Sequence, residues 1–336
     1  PAIGSHGGAT AQGQAAMLDQ LGLGGDALGC EVRAEMETEI IGEAPPGFPI
    51  HIARAALDAD AVIPLNRVKS HARFVGDYES GLLKMLIVGL GKREGAAAVH
   101  RFCRATIDPL VRAAAPVILG RLRVPFGLAV IENAQHQVAQ VRAVAGQNLL
   151  AEEPEILRLA KRLLPRLPVA EVDLLVVDRI GKDVSGTGME TFVIGQRPDS
   201  PTRVNAIVAL DLTEATAGNA HGVGFAIYTT QRLWDKVDHA ATRANAMTAQ
   251  RPEGARLPIP LPTDREAVLA GLELAGGPEA RVVHILDTAN LTRFHASAAL
   301  WDELAAAPHV QAIGAPFDMP FDAAGRLRAV ECPGAR

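Results

Sequence analysis

Four side chains in the first third of the chain are of the types that do chemistry: His6, His71, Lys84 and His100. Each lies in or beside a glycine-rich stretch. Two imidazoles on opposite sides of a substrate can work as acid and base, because imidazole titrates near neutrality. A third histidine can hold a metal through a ring nitrogen. Lys84 is a different case, because it sits inside the run from Leu82 to Leu90, which is nearly all apolar. A buried ammonium is costly unless it is paired, neutralised or chemically modified. Either the stem snorkels and the amine reaches water, or a neutral amine acts as a nucleophile and forms covalent adducts. The histidine spacing matches no standard zinc pattern: there is no HExxH and no histidine pair at i, i+4.

The elements that must position these groups are legible in outline. The segment from Asn66 to Arg101 carries His71, Lys84, Lys92, His100 and five glycines. It begins where a predicted buried strand, 59–65, ends. In open α/β sheets ligands bind beyond the carboxyl ends of strands. Before it come a glycine-rich turn at 4–8, a helix at 9–21, a hairpin or loop at 43–50 and a short helix at 52–58. A glycine-rich turn ahead of a helix lets backbone N–H groups approach an anion, though such turns are also common without a ligand. After the segment, a long alanine-rich helix spans 95–120, bent or broken by Pro109 and Pro116. A strand at 124–133, an extension or hairpin, and an amphipathic helix at 152–164 follow.

The second half restarts the alternation, with buried strands at 172–178, 204–212 and 281–286 and helices at 234–246 and 296–307. Strands alternating with helices predict an α/β fold: two α/β sandwich domains, 1–168 and 169–336, with mainly parallel sheets. A cleft between two such domains is the expected place for a small-molecule site. The loop RIGKDVSGTGME after the first strand of the second half offers Lys182, Ser185 and Thr187 as ligand contacts; the plain alternative is a structural turn.

Composition narrows the class of function. The chain has 336 residues, 48% apolar and 21% charged, with a net charge of −5 and no dense basic run. That balance argues against nucleic acid as a partner. No apolar stretch reaches the ~18–20 residues of a membrane span, and no charged-then-apolar leader is present. Cys30, Cys103 and Cys332 are odd in number and far apart, so no disulfide framework or zinc knuckle is expected, and a reducing cytoplasm is the default. The chain begins at Pro1, and an upstream segment is expected to be missing.

Taken in order, GSHGGAT, NRVKSH, YESGLLKMLIVGLGK and VH resemble the nickel-pincer lactate racemase family, as a divergent member. IGKDVSGTGM, LDLTEATAGNAHGVG and YTTQRLWDKVD in the second half look like stretches of the same relatives. The resemblance implies two α/β domains and an isomerase that inverts the hydroxyl-bearing carbon of a 2-hydroxy acid through a 2-keto intermediate. It implies a nickel-pincer nucleotide cofactor (pyridinium-3-thioamide-5-thiocarboxylic acid mononucleotide) attached to a lysine through a thioamide. On this sequence the family pattern places that lysine at Lys84, the nickel ligand at His100, sixteen positions later, and the catalytic histidines at His71 and His6. Lys182, Ser185 and Thr187 are cofactor-binding candidates. Gly7 follows His6 where lactate racemases proper carry an arginine, and the segment upstream of Pro1 is where the family holds further substrate- or phosphate-binding residues.

Other readings stay open. Lys84 could serve a metal-free Schiff-base lyase or aldolase, or the chain could be a non-catalytic small-molecule-binding relative. His51, His136, His239, His284, His295 and His309 read as structural. His221 sits in a glycine-rich loop after a buried strand and is less settled, and Tyr78 and Glu79 could line the site or serve as loop contacts.

Overall fold

The computed structural model describes residues 1–45, 47–103, 105–249 and 251–328, with the side chains of His100, Thr248 and Ala249 outside the described residues. By its internal contacts the chain divides into two units, Pro1–Leu164 and Pro165–Arg336.

In the first unit, strands β1 (Thr38–Ala44) and β2 (Phe48–Ala53) pair antiparallel around the turn expected at 43–50. Phe48, Ile50 and Ile52 alternate inward with the period of two that a half-buried strand requires, and each is at most 1% exposed. A second small sheet has the order β3 (Leu65–Arg67), β4 (Phe126–Glu132), β5 (Val138–Ala145). The β3–β4 pair is parallel and the β4–β5 pair is an antiparallel hairpin. The strand expected at 59–65 is corrected by the structure: only Leu65–Arg67 pairs, and residues 59–64 run in without a ladder. Val62 and Leu128 bond to Arg123 and Pro64 through single main-chain links instead.

Among the described residues the first unit has four helices of ten residues or more, three of which pack on these sheets. Helix α1 (Ala11–Gln20) starts at Thr10, whose hydroxyl accepts from Gly13 N in the usual capping manner. The helix expected at 95–120 is two helices, α2 (Lys92–Phe102) and α3 (Asp108–Arg121). Pro109 sits in the first turn of α3, where its missing N–H costs nothing, so the break falls just before it. Pro116 is carried inside α3. Helix α4 (Leu149–Leu163) lays Ile156, Leu157 and Ala160 against the core. The core joins Ile50, Leu82, Leu86, Val111, Ile131 and Ile156. Burial of each large aliphatic side chain there contributes about 1.5–3 kcal/mol.

The second unit carries one six-stranded sheet in the order β11 (His295–Ala296), β10 (Val282–Ile285), β6 (Glu171–Ile180), β7 (Arg203–Leu212), β8 (Tyr228–Thr230), β9 (Ile259–Leu261). Every pair is parallel except β10–β11. The sequence explains this: β6 and β7 read as continuous apolar runs, as strands covered on both faces must. Leu175, Val177, Ile207 and Ala209 point to one face, and Leu174, Val176, Ala206 and Val208 to the other. The second face is covered by Ala267 and Val268 of helix α6 (Asp264–Leu274). The helix expected at 234–246 is instead Gln231–Asp235 followed by α5 (His239–Ala249), and the one expected at 296–307 shrinks to Trp301–Ala306. The protein is thus an α/β fold, with its mainly parallel sheet in the second unit and smaller mixed pairings in the first. No helix among the described residues is long and apolar enough to cross a membrane.

Candidate functional site

Lys84 ends a single α-helical turn, Leu82–Lys84, that runs directly into the π-helical turn Met85–Gly89. Such turns recur at functional sites. Leu82 and Leu83 are fully buried, and Lys84 is half-buried with its amine desolvated. Among the described residues its amine makes no hydrogen bond or ion pair, and the charge that reaches it is the like charge of Lys69. Desolvation first, and Lys69 second, push its pKa down from 10.5 to about 8. A substantial fraction of this amine is therefore neutral near physiological pH, and a neutral amine is a nucleophile.

The turn that carries Lys84 is held from behind by Glu153 of α4. Its Oε2 accepts from Leu83 N at 2.9 Å, while Oε1 is buried without a hydrogen-bond partner among the described residues. Burial pushes this carboxyl up to about 7, against the backbone bonds from Leu83 and Leu82 that favour its charged form. A Cβ on Gly81 would lie 2.3 Å from Glu153 Oε1, so any side chain there would push the Glu153 carboxylate out of its place. Sequence reasoning missed Glu153, although a signal was present: it falls on the same helical stripe as Leu149, Ile156, Leu157 and Ala160.

His6 is exposed, in a turn whose main chain docks on the Lys84 helix. Gly4 N donates to Gly89 O at 3.2 Å, and Gln14 Nε2 donates to Gly4 O at 2.8 Å. Lys92 Nζ donates to Pro1 O and to Gln14 Oε1, tying the same turn to the start of α2.

His71 stands on a loop bridged to the Lys84 turn. Lys69 and Ser80 exchange both main-chain bonds, and Ser80 directly precedes the Gly81 that opens the turn. Two carboxylates shape this loop from inside. Asp108 accepts from Asp77 N and Tyr78 N at 2.9 and 3.0 Å. Glu79, itself 1% exposed, accepts from His71 N at 2.7 Å and from Gly76 N at 3.3 Å, and pairs with Lys161. Tyr78 and Glu79 are therefore loop anchors.

The main chain thus links the loops of His6 and His71 to the helix of Lys84. His100 lies on α2, and its side chain is outside the described residues. Cys332 is likewise outside them, while Cys30 and Cys103 are free thiols. Among the described residues no group of three or more His, Cys, Asp or Glu could hold a metal ion.

Lys182, Ser185 and Thr187 belong to the second unit, on the loop after β6. Lys182 Nζ donates to Gly186 O, Thr187 Oγ1 donates to Met189 O at 2.7 Å, and Ser185 Oγ lies 3.4 Å from Thr187 Oγ1. These contacts close the loop on itself, and burial lowers the Lys182 pKa. The loop packs backbone to backbone against the next one through Gly188 (φ +75°) and Gly222 (φ +110°), where a Cβ on Gly222 would fall 1.7 Å from Thr187 O. His221 is buried in that second loop with Nδ1 unpartnered among the described residues; burial, then Lys182 and Arg251, take its pKa down to about 4. His284 joins Asp178 (2.6 Å) and His295 (3.0 Å) in a polar chain on the sheet.

No family model and no curated protein matches the chain. Among solved structures, the chain is similar to the lactate racemase apoprotein from Thermoanaerobacterium thermosaccharolyticum, at 14% identity and a TM-score of 0.40. The match covers 75% of this chain and 58% of that one, so this chain spans little more than half the length of that structure.

Proposed function

We propose that the protein is a racemase or epimerase of a 2-hydroxy acid that carries a nickel-pincer nucleotide covalently on Lys84. The observation that carries this reading is the state of Lys84: a desolvated amine without a partner among the described residues, with its pKa near 8, at the position where the motif resemblance asks for an attachment point. The residues fit the group in that respect, since amide-type linkage would remove the buried charge and the like-charge contact with Lys69 together. His100 would supply the protein's nickel ligand, and Lys182, Ser185 and Thr187 would contact the nucleotide. When bound, the cofactor accepts and returns the substrate hydride. The chain's own residues do the rest: His6 and His71 act on the substrate hydroxyl, and the buried Glu153 cap holds the lysine turn in place.

Co-production with cofactor-building enzymes, followed by intact mass, peptide mapping and nickel analysis on one sample, tests the attachment. Optical rotation over a panel of lactate, malate, longer 2-hydroxy acids and sugar acids tests the reaction. An unmodified Lys84 in a nickel-loaded, active sample would overturn the reading. The same neutral amine favours a second one, a metal-free Schiff-base lyase or aldolase, which borohydride trapping with a carbonyl substrate separates from the first.

A further inference from the structure

Two backbone N–H groups, those of Arg73 and Phe74, point at one ring atom of His71, with N···Nδ1 distances of 3.0 and 3.1 Å. A backbone N–H can only donate, so the atom it meets must offer a lone pair. In a neutral imidazole Nδ1 has that lone pair only when the proton is on Nε2. A proton on Nδ1 would set three N–H groups against one another. The ring is held in this pose by stacking on Phe74, with centroids 4.7 Å apart and planes 22° apart. The histidine is doing what an Asn or Asp side chain does when it closes a turn on its own backbone.

The Arg73 and Phe74 amides converge on the ring because of the shape of the loop, and Glu79 is the carboxylate bonded to the amide of His71 itself. One carboxylate oxygen takes the amide of His71 itself and the other that of Gly76. Lys161, on α4, pairs with the second oxygen and offsets the cost of burying the charge. We propose that Glu79 is a positioning residue that fixes His71 as its Nε2–H tautomer, so that His71 meets a ligand oxygen as a hydrogen-bond donor. This rests on the reading above that His71 faces the substrate, and it divides the work of the pair. A neutral Nε2–H suits the hydroxyl, carbonyl or alkoxide oxygen on the reacting carbon of a hydroxy acid. Removal of the hydroxyl proton then falls to His6, which sits on an exposed turn.

The test uses the full chain with 15N-labelled histidine, without ligand, at neutral pH. Long-range 1H–15N correlation spectra identify which nitrogen of each ring carries the proton, and loss of signals in His71→Asn assigns His71. The expected wild-type result is a lone-pair Nδ1 and a protonated Nε2, preferred by more than about tenfold given two backbone bonds of ordinary strength. Glu79→Ala is expected to lose most of that preference, and Glu79→Gln, which keeps one acceptor oxygen, part of it. Lys161→Met, which leaves the carboxylate in place, should retain it. The His51 signals, from a ring 3.2 Å from Thr38 Oγ1 on the β1–β2 hairpin, report that the unit remains folded. A mixed or Nδ1–H tautomer in the wild type overturns the proposal whether or not the variants fold. An unchanged tautomer in folded Glu79→Ala or Glu79→Gln overturns the role of Glu79. Because no substrate is present, a failure to racemise any hydroxy acid would remove the functional reading and leave the tautomer result standing.

Discussion

Lys84 and Lys92 lie eight residues apart and are both taken out of water, yet the two regions use burial in opposite ways. Lys92 is 2% exposed, and its ammonium donates to Pro1 O at 3.0 Å and to Gln14 Oε1 at 3.3 Å. It is a strut that clips the first turn of the chain onto α2. Lys84 has no such bonds among the described residues, and its one charged neighbour repels it. Burial lowers the pKa of both, but only for Lys84 does no donor–acceptor contact oppose the loss of charge. A buried lysine is thus no signal of chemistry until its partners are known; an amine that no partner holds charged is the better candidate for it.

The sharpest way to break this comparison is to remove each amine. Lys84→Ala should abolish covalent loading and all racemase activity, seen as loss of the adduct from the Lys84 peptide, with a folded protein left behind. Loading at the same stoichiometry on another residue would break the distinction. The next largest effect belongs to the histidines whose loops are tied by main-chain bonds to the Lys84 helix. His6→Asn and His71→Asn should each lower turnover by roughly 10²–10⁴-fold with cofactor attachment intact. Near wild-type turnover in both would rule out the pair.

The comparison is sharpened further by pH, because two groups at the Lys84 turn titrate with opposite effect on stability. Glu153 has its folded pKa raised from 4.5 to about 7, so the folded state holds a proton that the unfolded chain releases. Stability should therefore be greatest at the acid end of that window, fall as pH rises from about 4.5 to about 7, and stay level above it, by about 3 kcal/mol in all. Lys84 has its folded pKa lowered from 10.5 to about 8, so stability of the unloaded protein should climb as pH rises between those values. Urea midpoints across the two windows test this. Glu153→Gln should flatten the lower slope alone and Lys84→Met the upper one alone. A lower slope that survives Glu153→Gln would assign it to another group.

How far the sequence foretold this depends on whether the signal was local. The strands of the second unit were legible because β6 and β7 are continuous apolar runs, a pattern with few other meanings. Strand β3 was misplaced because the apolar run 59–65 suits an extended core segment as well as a ladder, and pairing partners are not written locally. The position of Lys84 within an apolar run could be read; its want of a partner among the described residues could not, since that depends on residues brought near by folding. Glu79 and Asp108 illustrate the same limit. Each is an ordinary acidic residue in sequence, and only the loop folded around it shows that it takes two backbone amides. The His71 ring facing its own backbone was likewise invisible, because tautomer choice follows from where two amides point.

The smallest effect completes the comparison. Lys92→Met keeps the length and apolar volume of the stem and removes the ammonium alone. Two acceptors, Pro1 O and Gln14 Oε1, then lose their donor in a site that water reaches poorly. Each lost bond of this kind costs about 0.5–1.5 kcal/mol, somewhat more when the donor is charged. Relief of the ammonium's own desolvation offsets part of this, so the net loss should be about 1–2 kcal/mol. It should appear as a lower urea midpoint and as faster hydrogen exchange at Gly4, whose N–H bonds to Gly89 O and depends on the docked turn. The Lys84 pKa should not move, because Lys92 is not among the charges that act on it. Lys92→Met that instead matches the wild type in midpoint and exchange, or that shifts the reactivity of Lys84 toward an acylating reagent, would show that the two lysines are one coupled site and not a strut beside a nucleophile.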